Sequence, residues 1–98
     1  MSRSIIFRNL AEVEYLQASL FYDEERSGLG AEFESEVQAV LQRILEHPDR
    51  YPVAVRDIRV APTHRFPYCV YYRVRGGRII VLSVFHQSRD PAEWQSRS

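Results

Sequence analysis

The chain has 98 residues, 45% of them apolar and 27% charged, enough for one soluble domain around one modest core. No apolar run reaches the length of a membrane span and no charged-then-apolar leader opens the sequence, so the expected setting is the cytoplasm, with no membrane contact. Thirteen basic residues balance thirteen acidic ones; the absence of lysine excludes Schiff-base chemistry, and the single cysteine, Cys69, excludes an internal disulfide and a Cys-based zinc site.

In chain order, Ser4–Arg8 is a short β-prone run that starts a sheet, and Asn9 is an expected N-cap. A helix fits Leu10 to about Arg26. Leu10, Val13, Leu16 and Leu20 fall on one stripe at helical spacing and read as its core face, while Tyr15, Ala18 and Tyr22 widen the apolar surface beyond that stripe. Gly28 is a stop signal. In the second helix Leu29, Phe33, Val37, Val40, Leu41, Ile44 and Leu45 repeat at three and four, and His47-Pro48 ends it. The short link makes the two helices an antiparallel pair.

Val55–Ala61 reads as one strand, with Arg56, Ile58 and Val60 on one side and Asp57 and Arg59 on the other. Tyr68–Arg75 and Arg78–His86 flank Gly76-Gly77, a hairpin signal, because a tight primed turn needs positive φ. A two-residue loop sets Arg75 against Arg78, Tyr72 against Val81, Tyr71 against Leu82 and Tyr68 against Phe85. The run Ile79–Leu82 is apolar on both faces, the mark of a central strand covered on both sides. Asp90 is an N-cap for a short helix from Pro91, and Trp94 is an anchor against the sheet. The order β-αα-βββ-α gives an α+β fold: a helix pair on one face of a mainly antiparallel sheet, with the C-terminal turn or a partner on the other.

The charge is unevenly spread. Residues 50–98 hold nine arginines (50, 56, 59, 65, 73, 75, 78, 89 and 97) against three acids (57, 90 and 93). This basic half suits an acidic partner or phosphate, or pairing with the acidic helices. No Walker loop, zinc motif or nucleophile elbow is present. His64, His86 and several arginines and tyrosines could converge at one sheet end. Arginine and tyrosine are also the residues of protein-binding hot spots.

The element order, the segment RFPYCVYYRV, the central strand RIIVLSVFH and the ending HQSRDPAEW together resemble the RelE/ParE superfamily of type II toxin–antitoxin toxins, over nearly the whole chain. The resemblance implies a cognate, ParD-like antitoxin that wraps the toxin, with one helix on the helix pair and an extended segment reaching the sheet. RelE-like members cut messenger RNA on the ribosome; ParE-like members are associated with inhibition of DNA gyrase. Where the RelE pattern has an arginine in the third strand this chain has Cys69; where it has an arginine after the last strand, Gln87; where it has its C-terminal tyrosine, Glu93. These departures favour the ParE-like branch: a protein-binding toxin with no catalytic residues, no metal, no cofactor and no sequence-specific DNA binding of its own. The alternatives are a RelE-like endonuclease and a non-toxic binding module of the same fold. On this reading Tyr15, Ala18, Tyr22, Arg59, Arg73 and Arg89 meet the antitoxin, and His86, Arg89 and Trp94 meet the target.

Overall fold

A computed structural model describes residues 3–96. Strand β1 (Ser4–Phe7) is followed by helices α1 (Asn9–Glu25) and α2 (Leu29–Glu46), strands β2 (Val53–Val55), β3 (Ile58–Pro62), β4 (Tyr68–Arg75) and β5 (Arg78–His86), and one helical turn, α3 (Ala92–Gln95). The five strands form one sheet in the order β1-β5-β4-β3-β2, antiparallel except where β1 runs parallel to β5. The expected α+β architecture is therefore the observed one, with β5 an interior strand between β1 and β4.

The β4–β5 hairpin has the expected bounds and the expected Arg75–Arg78 closing pair. Only Gly76 of its two glycines enters the left-handed region, at φ 61°. Tyr72 faces Val81 as expected, but Tyr71 faces Ser83 and Tyr68 faces His86. The cause is a β-bulge, with Leu82 as the extra residue. It resets the alternation: Ile79, Val81 and Val84 join the core under the helices, while Leu82 and Phe85 join the core on the opposite face.

The single strand expected at Val55–Ala61 is two strands joined by a tight turn at Arg56-Asp57, and Arg56 takes φ 52°. The turn lets Val55 and Ile58 both pack on the second core. Asn9 is the first helical residue rather than the cap; extended Arg8 holds the cap position and its carbonyl accepts the Glu12 N–H.

The main core lies between the helices and the sheet. Phe33, Val37, Val40, Leu41 and Ile44 of α2 meet Ala61, Val70, Tyr72, Ile79, Val81 and Val84. The orientation of α1 reverses the expectation. Ala11 and Ala18 are buried with Ser19, and Tyr15 and Tyr22 pack against the core. The leucine stripe read as the core face points outward instead. The physical reason is close approach: a Cβ added to Gly30 on α2 would lie 2.5 Å from the Ser19 carbonyl oxygen, so only small residues fit the seam. Asp23 Oδ1 fastens the link by accepting the N–H groups of Gly28 and Gly30 at 2.9 and 3.3 Å. Glu14 then pins α1 to β5, accepting from Ser83 Oγ at 2.8 Å and from the Val84 N–H at 3.2 Å.

On the opposite face, Trp94 is 1% exposed and stacks on Tyr71 with 3.9 Å between ring centroids. Ile58, Leu82 and Phe85 complete this smaller core. Asp90 Oδ1 accepts the Ala92 N–H at 3.0 Å and sets the turn that delivers the indole.

Candidate protein-binding surfaces

Two surfaces stand out once the cores are filled. The first is the outer side of α1. Leu10, Val13, Leu16, Leu20 and Phe21 are 55, 46, 50, 64 and 54% exposed. Positions 10, 13, 16, 20 and 21 lie along one helical face, so with Gln17 as its one polar member this is a largely apolar strip rather than scattered side chains. A contiguous apolar strip on a small protein marks an interaction site. Beside it, Leu16 and Phe7 form a shallow apolar depression with Tyr15 and Gln38.

The side chains expected on an outward docking side lie elsewhere. Ala18 is 4% exposed. The Tyr15 ring sits between Phe7 and Phe33, and Tyr22 packs against Phe33, Phe66 and Tyr68. Burial raises both tyrosine hydroxyls above their ordinary range. Ala18 is thus buried, while Tyr15 and Tyr22 are half-buried against the core, Tyr15 also lining the depression beside the strip. The sequence signal for the outward face lies in the helical spacing of Leu10, Val13, Leu16 and Leu20.

The second surface is the tail after β5. The His86 ring packs edge-on to Tyr68 at 5.1 Å, and its Nδ1 accepts the Ser88 N–H at 3.1 Å. That bond leaves Nε2 as the nitrogen that carries the proton in the neutral ring. Arg89 lies over Phe85, 5.0 Å from the ring centroid, and pairs with Glu93 one helical turn on. Arg89 also borders a cleft of about 220 Å³ against α1, shared with Glu14, Gln17, Phe21 and Tyr68. The tail and the apolar strip therefore adjoin at Phe21. Trp94 holds the tail in place from within the fold instead of presenting its ring.

The arginines expected on one basic sheet side are separated. Arg59 shares the helix face with its register partner Tyr72 and donates to the carbonyls of Asp49 and Tyr51 at 3.3 and 2.6 Å. Arg73 lies on the opposite face, its side chain only 12% exposed, and pairs with Asp57 at 3.1 Å. Arg89 is at the far end, in the tail.

The three positions that depart from the nuclease pattern are engaged with their neighbours. Gln87 Nε2 approaches Cys69 Sγ at 3.7 Å, and burial pushes the Cys69 thiol above its ordinary value. Glu93 holds Arg89.

The chain matches the family described as "ParE toxin of type II toxin-antitoxin system, parDE" over residues 5–91. No curated protein matches it in sequence. Among solved structures it is similar to one titled "Chromosomal ParDE TA system from P. aeruginosa", with a TM-score of 0.64 and 16% identity, covering 87% of this chain and 96% of that one. At that identity the likeness speaks for the fold, and the match along residues 5–91 speaks for the family. The family match spans the strand, the helix pair and the hairpin, and the chain belongs to the ParE toxin family of type II toxin–antitoxin systems.

Proposed function

We propose that this ParE-family toxin acts in the cytoplasm by binding DNA gyrase and blocking it, and that a cognate ParD-like antitoxin neutralises it. The observation that carries the neutralisation half is the strip Leu10–Phe21. It is apolar, outward and helical, so an amphipathic antitoxin helix can lie along it. Fully burying a leucine contributes about 1.5–3 kcal/mol, and several lie on this face. Arg89, which borders the strip at Phe21, supplies a polar rim by exchanging Glu93 for an antitoxin carboxylate. Arg73, on the opposite sheet face, and Arg59, on the helix face beside the Asp49–Tyr51 loop, meet instead the extended antitoxin segment that reaches the sheet. Buried Ala18 with half-buried Tyr15 and Tyr22 supports the strip from behind. The gyrase half rests on the ParE resemblance and on Cys69, Gln87 and Glu93, which leave the tail without the nuclease set. His86 and Arg89 are the groups it offers to the target, with Trp94 fixing their position.

The test has two arms. The toxin is added to a gyrase supercoiling assay and to translating ribosomes. The reading expects blocked supercoiling with intact message; cleaved message with unaffected gyrase overturns it. For neutralisation, Leu16→Glu/Leu20→Glu is co-expressed with the antitoxin from the adjacent reading frame. Both positions are exposed, so the fold is retained. Loss of co-purification supports the docking surface, and unchanged affinity removes it.

A further inference from the structure

We infer that the turn end of the sheet, at the opposite end of β5 from the His86–Arg89 tail, binds the phosphodiester backbone of a nucleic acid. The inference stands whether or not gyrase is the target.

The topology gathers this site from three parts of the chain. Strands β3 and β4 are antiparallel neighbours with Arg59 opposite Tyr72, so the Arg56-Asp57 turn lies beside the Gly76-Gly77 turn. Asp57 confirms the adjacency by pairing with both Arg73 and Arg75. Strand β1 starts at the same end, Ser4 being aligned with Arg78, and Arg3 lies just before it. Arginines 3, 56, 73, 75 and 78 are collected there, and Asp57 is the one acid on these turns.

Three observations mark this as more than a solvated edge. Arg75 and Arg78 are both exposed and directly opposed across the hairpin. Like charges in that arrangement oppose folding; Asp57 engages Arg75, and a further anion reaching Arg78 relieves the rest. A single carboxylate serves two guanidiniums, so positive charge is left over after internal pairing. Third, the Gly76-Gly77 turn beside these arginines carries no side chains, so a phosphate backbone can approach them. From this end a cleft of about 430 Å³ runs back along Arg3, Arg59 and Arg75 beside Gly76, with Asp49 and Asp57 also on its wall.

The chemistry selects a phosphate polyanion over an acidic peptide. The guanidinium fork matches phosphate oxygens, and a turn without side chains lets a bulky backbone come close. None of the exposed large apolar side chains among the described residues belongs to these turns, so nothing there seats a peptide side chain. Binding here is electrostatic and reads backbone, not sequence.

The test is fluorescence anisotropy over a salt series, with a mixed-sequence DNA duplex and a single-stranded RNA as separate probes. The wild-type chain should bind at least one probe at low salt, and the probe it prefers identifies the source of the phosphates. Arg75→Ala/Arg78→Ala should weaken binding by about tenfold and reduce the salt slope by about two. Asp57→Asn, which releases two guanidiniums, should tighten it. A control, Arg26→Ala/Arg65→Ala, removes two arginines that pair with Glu32 and should change nothing. The inference is overturned if neither probe binds at low salt, if the Arg75/Arg78 variant keeps the wild-type affinity and slope, or if polyglutamate of equal charge competes as well as nucleic acid.

Discussion

At the scale of single residues, Trp94 and Tyr72 carry the most specific consequences. Trp94 is buried beyond the last strand, and its only regular element is one helical turn. The indole, rather than helix propensity, therefore fixes the tail. Trp94→Ala should destabilise the fold by about 3–5 kcal/mol in urea unfolding, and should do so even without any binding partner. An unchanged midpoint would mean the tail is not held from within. Tyr72 is fully buried, and its hydroxyl donates to the Pro48 carbonyl, tying β4 to the end of α2. Burial pushes that hydroxyl up to about 12 from 10. The sign follows from proton linkage: the native state holds the proton more tightly than the unfolded chain. The stabilisation is complete below 10 and is lost as pH rises from 10 through about 12. Tyr72→Phe should flatten that alkaline decline in thermal melts while lowering stability at neutral pH by about 0.5–1.5 kcal/mol for the lost hydrogen bond.

At the scale of elements, the helix seam and the bulge explain what was and was not legible in the sequence. Helix α2 could be read because its apolar residues form one stripe against an acidic remainder. Helix α1 carries two stripes. Leu10, Val13, Leu16 and Leu20 have helical spacing, but so do Ala11, Tyr15, Ala18 and Tyr22, and periodicity cannot choose between them. Packing chooses the second set: Ala11, Ala18 and Ser19 let the backbones approach at Gly30, and Tyr15 and Tyr22 fill the space beside that seam against Phe33. Gly30→Ala should accordingly cost about 1–3 kcal/mol in chemical unfolding by forcing the seam apart. A neutral or stabilised variant, the usual result for glycine to alanine within a helix, would show that the seam yields. The hairpin bounds were legible from Gly76-Gly77, but not the bulge, since Leu82 continues an apolar run and nothing local marks it as the extra residue. The Arg56-Asp57 turn was hidden in the same way: no glycine or asparagine announces it, and Arg56 adopts positive φ to bring Val55 and Ile58 onto one core. The candidate surfaces inherit these limits. The choice of proposed docking residues depends on which stripe of α1 faces out, a tertiary fact.

At the scale of the whole molecule, the charge asymmetry seen along the sequence is partly consumed inside the fold, where the acidic helices meet the loop between β3 and β4. Glu36 accepts the backbone N–H groups of His64 and Arg65, and Glu32 pairs with Arg65 at 2.8 Å. The Arg65 N–H, together with that of His64, holds the Glu36 carboxyl below the ordinary glutamate value of 4.5, and the Arg65 guanidinium does the same for Glu32. These bonds join the helical half to the hairpin at its entry, next to Phe66, which packs on Phe33 and Tyr22. A carboxyl with a lowered value in the folded state binds its proton more readily when the chain is unfolded. Its contribution is therefore fully present above 4.5 and is lost as pH falls from there through the lowered folded value. Both groups are open to solvent, so salt should weaken the Glu32–Arg65 part while leaving the Glu36 backbone bonds less affected. Glu36→Gln should then lower the melting temperature at pH 7 and make the melting temperature less dependent on pH below 4.5 than in the wild type. Parallel pH profiles for the two proteins would mean that the Glu36 carboxylate does not help to join the helices to the sheet.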